Sequence, residues 1–384
     1  MKDFYFDCAA TTRRKPAQVR EAMINFYDHI GCSPGRGGYE CSLDASRIVL
    51  NTRLSMGKLF NFDKTENIIL THNITYAMNM ILRGLLKPGD HVVTTTMEHN
   101  AVIRPLNDLV KNNKIEVDYI KGDAQGYVSA EAIKDAIREN TKAVITTHAS
   151  NVTGTILPIE EIARVVEETN AFYIVDGAQT AGSHFIDLKA LPIDIFAFTG
   201  HKGLYGPTGT GGFIIKDEAA KDMDALIQDG TGSISDRDFQ PDFLPDKFES
   251  GTTNTIGIAG LGAGVDFILD KGIVNIYNKK KSLTEYFLRK LEKVEGVTVY
   301  GPKNSNIQTS TISVGIKDVD LGQISFMLDD QFNIMTRSGL HCAPYAHQTI
   351  GTFPEGTLRF SFDIFNSEEE VDYVIDSLNK LLNA

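Results

Sequence analysis

From Asn67 to Phe213 the chain alternates between short apolar runs and segments of helical periodicity. Asn67-Ile-Ile-Leu-Thr71 reads as a strand, and Thr75 to Leu86 as a helix closed by Lys87-Pro-Gly89. His91-Val-Val-Thr94 is the next strand, a helix follows to about Asn112, and further strands fit 115–120, 143–147 and 172–175. Strands alternating with helices in this way build an α/β fold whose sheet is mostly parallel and covered on both faces. Ligands of such sheets sit beyond the carboxyl ends of the strands. The loops after Leu70, Thr96, Thr147, Val175 and Phe198 are therefore where chemistry is expected.

Those loops carry polar residues of particular kinds. The run Ile195 to Phe198 delivers Thr199-Gly200-His201-Lys202 into a turn, and five glycines follow before Phe213-Ile214-Ile215 resumes a strand. A lysine at a strand end, among residues that admit close backbone approach, suits a Schiff base, whereas an ordinary loop lysine is simply solvated. Phe172 to Val175 ends in Asp176, with Gln179 just beyond. An acid at that tip can neutralise a pyridinium nitrogen, as pyridoxal phosphate requires in order to act as an electron sink. Asn73-Ile-Thr75 precedes a helix whose free N–H groups favour a phosphate, although either residue also serves as a plain N-cap. His99 at the next tip can stack on a planar ring or pass protons, or be structural. Asn151, in Ser150-Asn-Val-Thr-Gly154, is placed to hydrogen-bond a ring hydroxyl. Gly206 to Gly212 fails the dinucleotide-binding spacing, and Gly57-Lys58 lacks the Ser or Thr of a phosphate loop.

Ahead of the alternating region, Pro16 opens a helix, Gly31 to Gly38 forms a flexible segment containing Arg36, and a second helix runs roughly from Leu43 to Leu59. After Gly251 the pattern changes. Helices fit Asn254 to Asp270 and Asn275 to Val294, strands fit 297–300, 311–314 and 357–361, and a helix closes the chain from Ser367. A large domain over 14–255 and a smaller α+β domain made of 1–13 and 256–384 are expected, packed without a loose linker. In the smaller one, Cys342 sits in a Gly/Pro-bounded loop beside His341 and near Arg337, where cationic neighbours make a usable nucleophile; an inert buried thiol is the alternative. Arg359, on a strand, needs an anionic partner, either a substrate carboxylate or an internal acid.

The net charge of −12 argues against a nucleic-acid partner, whose phosphates call for clustered Lys and Arg. The first residues show no apolar signal region, and no apolar stretch approaches a membrane span. Cys8, Cys32, Cys41 and Cys342 show no zinc-ligand spacing and are too few for a disulfide scaffold, which favours a reducing cytoplasm.

Taken together, Asp176-Gly-Ala-Gln179, Thr199-Gly-His-Lys202, Phe248-Glu-Ser-Gly-Thr-Thr-Asn254 and Arg337-Ser-Gly-Leu-His-Cys342 resemble a known family. The chain is similar, from Tyr5 to its last helix, to class V aminotransferase-type pyridoxal phosphate enzymes of fold type I. Within these it resembles the cysteine desulfurase/selenocysteine lyase branch. The resemblance implies Lys202 as the lysine that carries pyridoxal 5'-phosphate, His99 stacked on its ring and Asp176 at the ring nitrogen. Gln179 and Asn151 would lie near the ring hydroxyl. Thr75, Thr199 and His201 would hold the phosphate, joined by Gly251 and Thr252 from the other subunit of a homodimer. Cys342 would accept sulfur, and Arg359, with Asn151, would bind the substrate. The implied reaction takes sulfur from L-cysteine, leaving L-alanine and a persulfide on Cys342 for a sulfur-acceptor protein. L-Selenocysteine is an alternative substrate; another class V aminotransferase or C–S lyase, and an idle sulfur-delivery subunit, are alternative readings. Three positions depart from the pattern: Gly35 where histidine is common, Asn73-Ile-Thr75 for Gly-Thr-Thr, and Cys8 for Asn or Ser. They leave the lysine and the nucleophile intact and bear on partner and substrate.

Overall fold

The N-terminal segment forms a two-residue strand, β1 (Phe4–Tyr5), and two helices, α1 (Ala17–Asn25) and α2 (Glu40–Leu59). In the computed structural model, residues 3–35, 37–112, 115–230, 233–234, 236 and 238–383 are described; Arg36 lies outside them. The alternating region follows as β2 (Ile68–Thr71), α3 (Ile74–Leu85), β3 (Asp90–Thr95), α4 (Asn100–Lys111), β4 (Ile115–Ile120) and α5 (Ala130–Ala136). It continues with β5 (Thr141–Thr147), α6 (Ile159–Glu167), β6 (Phe172–Asp176), β7 (Ile195–Thr199) and β8 (Gly211–Ile215).

These strands make one sheet in the order β2-β8-β7-β6-β5-β3-β4. The strands from β3 to β7 pair in parallel, while β8 runs antiparallel to both β7 and β2. Because the pleat has period two, Ile195 and Ala197 of β7 enter one core while Phe196 and Phe198 enter the other. Helices α3 and α4 cover the first face, α2 and α6 the second. α6 shows why such helices form here. Ile159, Ile162, Ala163 and Val166 make one buried stripe, and Glu160 and Glu161 sit in the first turn, where the helix dipole favours acids.

Two further helices, α7 (Asp217–Asp222) and α8 (Thr255–Lys271), complete this body. A Cβ at Gly264 would lie 2.4 Å from the Leu204 carbonyl oxygen, so glycine is what lets α8 press against the chain leaving Lys202. Val265, Ile268 and Ile276 share a core with Phe196, and that core thus runs past residue 255 into α9 (Ile273–Leu291).

The rest of the chain forms β9 (Val297–Tyr300), β10 (Thr311–Ile316), α10 (Leu321–Phe332), β11 (Ile334–Met335) and β12 (Arg337–Gly339). Then come α11 (Pro344–Ile350), β13 (Thr357–Ser361) and α12 (Glu368–Leu382). An antiparallel sheet, β12-β13-β10-β9, packs against α9, α10 and α12. β1 pairs in parallel with β11, which returns the N-terminus to this second body and places Phe6 in a core with Phe287, Phe360 and Phe362.

Two cysteines form a pair that the sequence did not announce. Cys32 and Cys41 are disulfide-bonded and tie together the two ends of the α1–α2 connection. It is a single clip rather than a scaffold. Among the described residues no helix is long and apolar enough to cross a membrane.

Candidate active site

Lys202 leaves the tip of β7 with its backbone fixed from both sides. Thr12 Oγ1 donates to its carbonyl at 2.7 Å, the Tyr205 amide donates to the same oxygen at 3.0 Å, and the Thr12 amide binds the His201 carbonyl at 3.0 Å. Burial pulls the Lys202 amine down to a pKa of about 8; the Asp176 charge opposes this, and the Arg359 charge adds to it. A lysine so placed has a usable neutral fraction near pH 7. Asp176, only 3% exposed at the end of β6, is raised by burial, against the opposing effects of the Ala178 amide and the Lys202 charge. That amide donates to Asp176 Oδ1 at 2.9 Å.

Between β3 and β5 the chain switches direction along the sheet, from the edge strand β4 back toward the centre, and there the strand tips part. His99 N-caps α4 by accepting the Ala101 amide on Nδ1 at 3.0 Å, which leaves the ring proton on Nε2. Burial and then the Lys202 charge hold its pKa at about 4, so it is neutral at pH 7. Glu98 fills the crevice itself. Its Oε1 accepts from Thr95 Oγ1 at 2.6 Å and from the Thr147 amide at 2.9 Å, and Oε2 is buried without a partner. Burial pushes it up to about 8. Sequence reasoning passed over Glu98, because an acid beside a strand tip gives no sign of being sealed from water.

On α3 the capping role falls to Asn73, whose side chain accepts the Tyr76 amide at 2.9 Å. Thr75 instead lines a cleft of about 360 Å³ with His99, Arg104 and Cys342. Cys342 is exposed, and Arg337 Nη2 lies 3.7 Å from its sulfur. Both His341 and Cys342 adopt left-handed backbone, φ 49° and 59°, a conformation that costs a side-chain-bearing residue of order 1–3 kcal/mol. Two contacts hold it. Asn151 Nδ2 donates to the His341 carbonyl at 2.7 Å, and the Asn100 amide donates to the Cys342 carbonyl at 2.8 Å.

Arg359, 1% exposed on β13, donates through Nη2 to Asp7 Oδ1 at 2.5 Å and through Nη1 to the Asn151 carbonyl at 3.1 Å. Of the two partners foreseen for it, the internal acid is the one present. Lys202 is thus within electrostatic reach of Asp176, His99 and Arg359, and His99 within reach of Arg359. Gln179 Nε2 donates to the Ala9 carbonyl at 3.2 Å, and His201 Nδ1 lies 3.0 Å from Thr11 Oγ1, with burial lowering that imidazole to about 4. Gly251 and Thr252 do not line the cleft of Thr75, His99 and Cys342; they line a cavity of about 190 Å³ with Ser33, Arg53 and Glu249.

Besides Glu98 Oε2, the buried polar atoms left unspent among the described residues include Thr199 Oγ1, Asn151 Oδ1 and Arg359 Nε. Asp176 has no ion-pair partner among the described residues, and a buried carboxylate needs a cation or a proton close by. A protonated ring nitrogen would satisfy Asp176, and a ring hydroxyl would satisfy the acceptor on Asn151. The residues fit pyridoxal phosphate. Among the described residues, no group of three or more His, Cys, Asp or Glu is placed to hold a metal ion.

The Aminotransferase class-V family matches residues 4–374. A probable cysteine desulfurase of Methanothermobacter thermautotrophicus is 31% identical over 99% of this chain and 95% of its own length. One from Halalkalibacterium halodurans is 34% identical over 98% and 92%. Among solved structures, the apo cysteine desulfurase of Thermococcus onnurineus superposes with a TM-score of 0.93 at 31% identity, covering 99% of this chain and 95% of that one. The Escherichia coli cysteine desulfurase CsdA gives 0.89 at 26% identity over 99% and 95%.

Proposed function

The chain belongs to the aminotransferase class-V family, and from that premise we propose that it is a cysteine desulfurase acting on L-cysteine. The family is one of pyridoxal phosphate-dependent enzymes. Bound here, pyridoxal 5'-phosphate supplies an electron sink for charge developing at the substrate Cα. Lys202 Nζ would anchor it and move the Cα proton, and Asp176 would keep the ring nitrogen protonated. Thr75, Thr199 and His201 would hold the phosphate, and Asn151 Oδ1 and Gln179 the ring hydroxyl. His99 offers its ring face; its Nδ1 lone pair is already committed to the Ala101 amide.

Arg359 would take the substrate carboxylate, and Cys342 Sγ would take the sulfur. An S–S bond forms as the Cβ–S bond breaks, and cysteine plus enzyme thiol become alanine plus enzyme persulfide with no atom unaccounted for. One observation carries this reading. The exposed Cys342 thiol, 3.7 Å from the Arg337 guanidinium, opens on the same cleft as Thr75 and His99. The test is an amino-acid panel including L-selenocysteine, assayed for alanine and for persulfide on the Cys342 peptide. Cys342→Ala should keep fold and cofactor while sulfur transfer falls by at least about a thousandfold. Full activity in that variant would make the thiol a spectator and the protein another kind of C–S lyase.

A homodimer belongs to the same proposal, with Gly251 and Thr252 reaching the partner's phosphate. The exposed apolar residues Ile24, Tyr27, Leu43, Leu50 and Leu54 on α1, α2 and the turn after α1, and the placement of Gly251 and Thr252 on a cavity other than that of Thr75, His99 and Cys342, support it. A sulfur-acceptor protein and a cytoplasmic setting are further parts of the proposal, and the Cys32–Cys41 disulfide stands against the second of them.

A further inference from the structure

Arg359 is already occupied. Its guanidinium is buried, and its ion pair with Asp7 joins residues 352 positions apart. The two edges through which a guanidinium grips a carboxylate with two parallel bonds, Nε with Nη2 and Nη1 with Nη2, share Nη2. Asp7 sits on that shared nitrogen, and Nη1 is partly spent on the Asn151 carbonyl. The Nε donor is buried and unpaired. A carboxylate arriving to use it would put its second oxygen on the nitrogen that Asp7 holds. Nη2 has two N–H bonds, so the two carboxylates could share it, but two like charges then stand side by side on one nitrogen, which is costly in a site shielded from water.

Asp7 is built to give way. Its side chain is 18% exposed, against 1% for Arg359, so it has water to turn into. Its backbone, by contrast, is pinned: Asp7 bridges to Ser361, the Cys8 amide binds the Ser361 carbonyl at 3.2 Å, and the Ala9 amide binds Ser361 Oγ at 2.8 Å. Exchange is therefore a side-chain rotation with no movement of the strand.

We propose that Asp7 is the resident counter-ion with which an amino-acid carboxylate exchanges at Arg359, and thereby the residue that sets how tightly this site holds substrate and product. The proposal rests on Arg359 being the carboxylate site. Asp7 weakens the bound state of cysteine, and by re-pairing with Arg359 it helps expel alanine. The chemical step is untouched, since the carboxylate is held alike throughout it.

The test is Asp7→Asn in the full-length holoenzyme, which keeps shape and hydrogen-bond acceptor and removes only the charge. KM for L-cysteine and the inhibition constant of L-alanine should both fall about tenfold. The single-turnover rate of persulfide formation on Cys342 should stay within about twofold. A rise in KM overturns the proposal, because Asp7 would then be a positioning residue that aims Arg359 at the substrate. Should Asp7→Asn not fold, Asp7→Ser puts the same question; failure of both to fold also overturns it, since a displaceable counter-ion is not required for folding. Failure of the underlying reading looks different: wild-type enzyme would then form no alanine from cysteine, and L-alanine would not compete at all.

Discussion

Glu98 and His99 are neighbours in sequence, and burial drives each to its neutral form. The acid is pushed up to about 8 and the imidazole down to about 4. The consequence for Glu98 is measurable. Its folded pKa lies above the ordinary 4.5, so between about pH 4.5 and 8 the native chain keeps a proton that the unfolded chain has lost. Stability should therefore fall as pH rises through that window, by at most about 1.4 kcal/mol per unit from this group. Glu98→Gln removes the titration, and urea unfolding at pH 6 and 8.5 should show a smaller decline than in wild type. Parallel declines would mean that Glu98 is ionised in the folded protein. The placement of Lys202, Asp176, His99, Asn151 and Thr199 at or just beyond strand tips was legible because each lies where a strand-like run gives way to a loop. The Asp7–Arg359 pair was not, since nothing in a separation of 352 positions records which strands will meet.

At the scale of elements, the α1–α2 connection shows where pattern reading stops. Its helices were legible from apolar spacing, but the disulfide within it was not, because two cysteines nine apart fit no framework. Alkylation of denatured, unreduced protein should label two thiols per chain, Cys8 and Cys342, and prior reduction should raise the count to four. Four from the outset would mean that the pair is open in the protein as isolated. The direction of β8 was equally hidden, because a fully buried strand reads the same whether it runs parallel or antiparallel. The short elements β11, β12 and α11 went unread because two to seven residues give no period to count. They are also the elements that frame Cys342.

For the whole molecule, the mostly parallel sheet and the covered faces followed from alternation alone. The change of pattern after Gly251 was legible as well, yet the first core extends through α8 to Ile276, since a helix records its own stripe but not which body it covers. The apolar residues left exposed on α1 and α2 belong to the proposed subunit contact. Light scattering at micromolar concentration should give about twice the 42.3 kDa chain mass. Leu50→Glu with Leu54→Glu should shift it toward monomer and cut activity with it; a fully active monomer would remove Gly251 and Thr252 from the site.

The loop bearing Cys342 consists of four residues, Leu340 to Ala343, between β12 and α11. Four residues have a contour of only ~14 Å, so even released from Asn151 and Asn100 the tip would travel roughly 7 Å. Cargo loaded there is collected, not carried. If Cys342 takes the sulfur as proposed, an acceptor would have to bring its own thiol to this loop, beside Arg337 and the cleft that Arg104 lines, and any small free thiol reaching the same cleft would compete with it for every turnover.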